Sequence, residues 1–320
     1  MDIVYTPESL NHVTIHHPES VDRLISFDNI PTDTLTPDES SLRLVHTQQY
    51  IEDVKKKCLH SEMLDPDTQT SPGSFSAALF AVAATIQASE TDNFALVRPP
   101  GHHAYPDHGA GFCIFNNIAI ASQKLIAEGK RVCIVDIDGH LGDGTESFFY
   151  SSNSVLYISL HQEHAYPEKG LPEEIGEGNG KGFTINMPIP KKCGDDAYLQ
   201  ILHRLLPIAI EFKPDIIAVS AGFDTYRTDP VLELNLSKNA YHQIGALLHK
   251  SFPHIFAVLE GGYDTKALPE CVYNFIDGVN GTKIRFSENS TETPFLSLEQ
   301  IQFQLDSLID LLKPYWKSAV

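Results

Sequence analysis

The chain has 320 residues, 42% of them hydrophobic, enough for one large α/β domain or two small ones. Its 42 acidic and 23 basic residues leave a formal net charge of -19, which argues against nucleic acid as a partner, because phosphate-backbone binding needs clustered Lys and Arg. Cys58, Cys113, Cys133, Cys193 and Cys271 show no Cys-x-x-Cys spacing, so reduced thiols are expected and no disulfide framework.

The N-terminus, Met1-Asp-Ile-Val-Tyr-Thr-Pro7, lacks the basic and apolar regions of a secretory signal, and no run of eighteen apolar residues occurs. The expectation is a soluble, cytoplasmic protein without a membrane partner. Along the chain, a helical pattern over Ser74 to Ser89 precedes a strand-like run, Phe94 to Val97. A second helix, Asn117 to Glu128, leads to Val132–Val135 and then to Val155–Leu160. Helical periodicity returns over Asp195 to Glu211, followed by the run Ile216–Ser220. A helix over Asn239 to Ser251, the run Ile255–Leu259 and a last helix over Ser297 to Leu312 complete the set. The short runs are mostly continuous in their apolar character, as in strands buried on both faces. Strands alternating with helices predict a parallel sheet covered on both sides. No repeat, low-complexity tract or linker divides the chain, and the polar stretch Thr282 to Pro294 is too short and too near the end to mark a second domain. Residues 1–320 therefore read as one domain.

The residues that follow each strand are unusually rich in chemistry. Phe94–Val97 leads into Arg98-Pro-Pro-Gly-His-His103, Val132–Val135 into Asp136-Ile-Asp-Gly-His140, and Val155–Leu160 into His161. Ile216–Ser220 leads into Ala221-Gly-Phe-Asp224, and Ile255–Leu259 into Glu260-Gly-Gly-Tyr263. If extended geometry persists, Asp136, Asp138 and His140 share one face of a strand. An Asp-x-His pair suits a borderline cation such as zinc. Each piece also has an ordinary reading. His102-His103 alone fits a surface or satisfied core pair, Asp136 and Asp138 a loop-start cap or turn, Asp224 an N-cap, and Tyr263 a packed aromatic. Their joint occurrence beyond successive strand ends, where open α/β sheets bind ligands, favours one shared site.

Together these segments, with Gly111-Phe-Cys-Ile-Phe-Asn-Asn117, Gly142-Asp-Gly-Thr145, Tyr157-Ile-Ser-Leu-His161 and Asp229-Pro230, resemble the zinc-dependent histone deacetylase and acetylpolyamine amidohydrolase superfamily. The likeness runs from about His17-Pro-Glu19 to about Gly278 and is nearer to class II and microbial members than to class I. It implies the arginase/deacetylase fold, one α/β domain around an eight-stranded parallel sheet. It also implies zinc held by Asp138, His140 and Asp224, and a tandem pair, His102 and His103, whose second member is the general base and acid. In the same likeness Asp136 orients His102, Asp143 orients His103, and Tyr263 donates to the substrate carbonyl. Phe112 and Tyr166 correspond to two channel aromatics, the second usually Phe, with Gly111 beside them.

The resemblance further places Asp67, with Asp65 as an alternative, at the channel entrance for substrate. It implies a potassium site on Asp136, Asp138, His140, Ser159 and Leu160, and an outer one on Phe149, Ser152 and Val155. Two positions depart from the pattern. Leu141 stands where many relatives have a second His, and altered packing is expected there without loss of activity. Val231 stands where polyamine-selective relatives of the mammalian type carry Glu, favouring acyl-lysine. The implied activity is hydrolysis of acyl groups from lysine in proteins or peptides. The alternatives are an acetylpolyamine amidohydrolase and a non-catalytic module that binds acylated ligands.

Overall fold

In the computed structural model, which describes residues 1–320, the apolar runs pair side by side as expected. The strands β1 (Ile3–Val4), β2 (Phe94–Ala95), β3 (Val132–Asp136), β4 (Val155–Gln162), β5 (Thr184–Ile189), β6 (Ile216–Ala221) and β7 (Ile255–Leu259) form one sheet in the order β1-β2-β7-β6-β3-β4-β5. Every pairing is parallel. The helices are α1 (Asp22–Ile25), α2 (Gln48–His60), α3 (Ser74–Thr91), α4 (Asn117–Ala127), α5 (Asp143–Phe149), α6 (Asp195–Phe212), α7 (Lys238–Ser251), α8 (Leu268–Val279) and α9 (Phe295–Leu312).

The α/β class and the single domain stand as read, but the sheet has seven strands instead of eight. Both edges have a physical reason to stop. β1 pairs over two residues before the chain turns at Thr6-Pro7. At the other edge β5 carries Pro188, a residue tolerated at sheet edges, and α9 packs against it. The run at Phe94 is also shorter than expected, with two paired residues, although Leu96 and Val97 stay buried.

Alternate residues of each strand feed two cores. Cys133 and Val135 of β3, with Ile217 and Val219 of β6, join Tyr198, Tyr241, Val272 and Leu305 from the helices on one face. Val132 and Ile134, with Ala218 of β6, join Val54, Val82 and Ile118 on the other. Burial on both faces is why the strand sequences are continuously apolar.

The strand order places the site. From β3 the chain moves outward to β4 and β5, then returns to the other side of β3 to lay down β6 and β7. The boundary between β3 and β6 is thus a switch point, where a crevice opens beyond the carboxyl ends of the strands. Asp138 and His140 follow β3, and Asp224 follows β6.

Candidate active site

β3 ends at Asp136, so the extended face expected for Asp136, Asp138 and His140 does not continue. Asp136 turns towards His102 and Tyr157, at 3.1 and 3.0 Å, while Asp138 and His140 turn towards Asp224. Donor atoms of Asp138, His140 and Asp224 lie within 4.8 Å of one another, and all three residues are buried. The backbone fixes both carboxylates: Asp138 Oδ2 accepts from Gly261 N at 2.7 Å and its Oδ1 from His140 N at 2.8 Å, and Asp224 Oδ1 accepts from Gly139 N at 2.7 Å. His140 Nδ1 faces Asp224 Oδ2 at 2.8 Å. The cradle depends on two glycines, since a Cβ at Gly222 would lie 2.0 Å from Asp138 Oδ2 and one at Gly261 2.6 Å from both carboxylates.

Burial, reinforced by Asp138, raises the Asp224 carboxyl to about 6. Against its own burial, His140 is held up at about 10 by the two carboxylates. So much buried negative charge calls for more than one imidazole. Two carboxylates and one imidazole, with room for a further ligand, fit a borderline dication at a catalytic site.

The tandem histidines occupy the loop after β2. His102 Nδ1 meets Asp136 Oδ2 at 3.1 Å, and His103 Nδ1 meets Asp143 Oδ1 at 2.8 Å. Burial disfavours the imidazolium at both. Asp138, Asp136 and Glu260 nevertheless hold His102 well above the ordinary histidine value. His103, beside that charge, is lowered to about 4. The pair is electrostatically unequal: positive charge is favoured on His102, while the His103 ring is kept neutral.

Both histidines open into a cavity of about 170 Å³, lined also by Phe112, Tyr166, Tyr263 and Val231. Phe112 stands edge-on to Tyr263, ring centroids 5.8 Å apart, and Tyr166 edge-on to His103 at 5.0 Å. Burial pushes the Tyr263 phenol well above its usual value, which keeps it a hydrogen-bond donor. Gly111, Asp65 and Asp67 complete the mouth. The two acids divide: Asp65 turns inward to Gly111 N at 3.3 Å and Asp67 N at 2.9 Å, while the Asp67 side chain is 73% exposed.

Of the residues named for an inner potassium site, Asp136 and Ser159 are register partners on adjacent strands, with Leu160 next to Ser159. Phe149, Ser152 and Val155 cluster where α5 ends and β4 begins, with Phe149 O accepting from Ser152 N at 2.8 Å. Leu141 is buried in the same core cluster as Phe149.

Several buried polar groups escape a reading of the sequence alone. Glu260 accepts from Gly101 N, His102 N and Ser220 Oγ, holding the histidine loop against β6. Tyr157 fixes Asp136, and Tyr105 donates to Asp143 Oδ2 at 2.8 Å. Glu260 lies inside a segment quoted for the resemblance, so its placement was the available signal. Cys113 lies behind His103, whose backbone N meets its Sγ at 3.5 Å, and burial drives its thiol well above the ordinary value.

Residues 7–279 match the histone deacetylase domain. A probable deacetylase of Archaeoglobus fulgidus is 38% identical over 319 residues, 90% of this chain and 89% of that one. A histone deacetylase-like amidohydrolase of Pseudomonas aeruginosa is 35% identical over 82% of this chain and 73% of its own length. The crystal structure of the HDA15 HD domain superposes with a TM-score of 0.89 at 28% identity, covering 100% of this chain and 98% of that one. The chain belongs to the histone deacetylase family and is of its deacetylase and amidohydrolase kind.

Proposed function

We propose that this protein is a zinc-dependent hydrolase that removes acetyl or other acyl groups from the ε-amine of lysine in proteins or peptides. The observation that carries the reading is convergence: the cluster of Asp138, His140 and Asp224 reaches, through His140, the cavity onto which His102, His103 and Tyr263 open. Zinc held by the three would polarise the amide carbonyl and lower the pKa of water to roughly 7.

The remaining steps fall to side chains. Phe112 and Tyr166 hold an apolar stem between them, which orients the amide at the cavity floor. The attacking water loses its proton to His103, whose Nδ1 is fixed by Asp143. Negative charge then grows on the carbonyl oxygen, and the Tyr263 hydroxyl donates to it. His103, now protonated, passes its proton to the leaving amine. His102, anchored by Asp136, supplies a fixed neighbouring charge. A potassium ion on the Asp136 and Ser159 carbonyl shell would stiffen the floor of the site. The five buried, unpaired cysteines support a reducing, cytoplasmic setting, and no helix is long and apolar enough to cross a membrane.

A second reading, hydrolysis of small acetylated polyamines, draws on Asp65 and Asp67 at the mouth, which suit a cationic substrate. Apolar Val231 at the same mouth favours acyl-lysine. The test is zinc content measured together with rates on an acetyl-lysine peptide, an acetylated polyamine and a longer-acyl lysine. Fastest turnover of the lysine peptides is the expected result. Metal-loaded protein inert towards all three would sink the reading, and preference for the polyamine would establish the second.

A further inference from the structure

The His103–Asp143 pair does not end at Asp143. The second oxygen of that carboxylate accepts from the Tyr105 hydroxyl at 2.8 Å, and the Tyr105 oxygen in turn accepts from Lys169 Nζ at 2.9 Å. Lys169 Nζ also lies 3.8 Å from Asp143 Oδ2 and is the one Lys or Arg nitrogen that faces it. The result is a continuous chain of donors from the imidazole to a side chain 56% exposed to solvent. Hydrogen bonds in such series polarise one another, and charge-assisted ones are the strongest.

Each link is held in place. Tyr105 stacks on His108, ring centroids 4.5 Å apart and 12° from parallel, and its carbonyl accepts from His46 Nδ1 at 3.0 Å. Burial and the facing Asp143 carboxylate push the Tyr105 phenol up, so it stays a donor. Lys169 sits in the loop after β4, whose far end is tied by Glu174 to Gly170 N and Leu171 N at 2.7 and 2.9 Å. The same loop carries Tyr166, edge-on to His103. The loop therefore touches the catalytic pair at both ends, with an aromatic ring on the imidazole and an ammonium on the carboxylate.

We infer that Lys169 is a positioning residue for the proposed deacylation: through Tyr105 it fixes the orientation of Asp143, and with it His103, and it pins the Tyr166 loop to the site. The inference rests on the hydrolase reading for its effect on rate, but not for its effect on the loop. Lys169→Met removes the charge and keeps the length, and Lys169→Arg keeps the charge.

With zinc content and melting temperature unchanged, Lys169→Met is expected to lower kcat on an acetyl-lysine peptide by about tenfold and Lys169→Arg to restore most of it. A role in stability alone would leave turnover per folded, metal-loaded molecule unchanged. Amide hydrogen exchange across residues 163–171 should speed up several-fold in Lys169→Met and return to the wild-type rate in Lys169→Arg. Turnover of Lys169→Met within about twofold of wild type, or failure of Lys169→Arg to restore it, overturns the inference. If the wild type itself turns over no acyl-amine, the hydrolase reading fails, and the exchange experiment decides the loop: unchanged exchange in Lys169→Met overturns the positioning role as well.

Discussion

Glu19 and Arg98, 79 residues apart in the chain, meet as a two-pronged ion pair at 2.5 and 2.7 Å with neither side chain exposed. Arg23 joins them, donating to Glu19 at 3.2 Å, to Gly262 O at 2.7 Å and to Glu260 O at 2.5 Å, with its guanidinium 5.0 Å over the Tyr263 ring. The network clamps the N-terminal segment, the histidine loop and the Tyr263 loop together. Glu19→Gln leaves two buried guanidinium groups short of countercharge, and the expected loss is about 3–5 kcal/mol in urea unfolding. Although burial opposes ionisation, Arg98 and His12 hold the Glu19 carboxyl far below its ordinary range. Its contribution is therefore complete above the ordinary glutamate pKa and is lost only as strong acid protonates the folded state. A variant as stable as the wild type at neutral pH would show the clamp to be dispensable.

Tyr263→Phe removes one hydroxyl from the cavity and no metal donor. We expect turnover to fall on the order of 100- to 1,000-fold with zinc content intact. Asp138→Ala, by contrast, should lose the metal, as read by elemental analysis after dialysis. Equal rates for Tyr263→Phe and wild type would refute the role given to the phenol.

Glu146 supplies a pH dependence separate from the proposed metal site. It is buried on α5 and accepts from Asn186 Nδ2 at 2.8 Å, and burial raises its carboxyl to about 7. A raised carboxyl favours the folded state while protonated, so its contribution is full below the unfolded value and is lost as pH rises through about 7. Glu146→Gln mimics the neutral acid. Between about pH 5 and pH 8 the wild type should lose up to about 3 kcal/mol relative to Glu146→Gln. Parallel stability curves for the two proteins over that range would contradict the assignment.

Val231 is 38% exposed at the mouth of the cavity, so a longer side chain there has room to reach solvent. Val231→Glu adds a carboxylate beside Asp65 and Asp67. The expected outcome is a shift in kcat/KM of about tenfold towards acetylated polyamine over acetyl-lysine peptide, worth about 1.4 kcal/mol. No change in the ratio would remove Val231 from the determinants of selectivity.

The strands that line the site were legible because β3, β6 and β7 are buried on both faces and read as unbroken apolar runs. β5 was not, since Asn186 and Pro188 interrupt its pattern, and β1 is too short to carry one. The helix at Gln48–His60 was missed for a similar reason: its outward face holds Lys55, Lys56 and Lys57, and only four of its residues are buried. At the site, residues just beyond strand ends could be grouped by position alone. Arg23 and Lys169 could not, because a charged side chain away from a strand end reads as surface until its partner is known. Glu19 and Arg98 are brought together by the tertiary fold alone.

The β3–β6 boundary also ties accuracy of folding to chemistry. Asp136 is paired with Ser220 across it, and Asp138 and Asp224 each lie a few residues beyond that pair. A slip of one residue there would carry Asp138 about 3.3 Å along the strand, away from Gly261 N and from Asp224. It would also turn Cys133 and Val135 onto the wrong face of the sheet. A misregistered chain would lose the proposed metal cradle and its core in the same event, so metal affinity would double as a gauge of correct strand alignment.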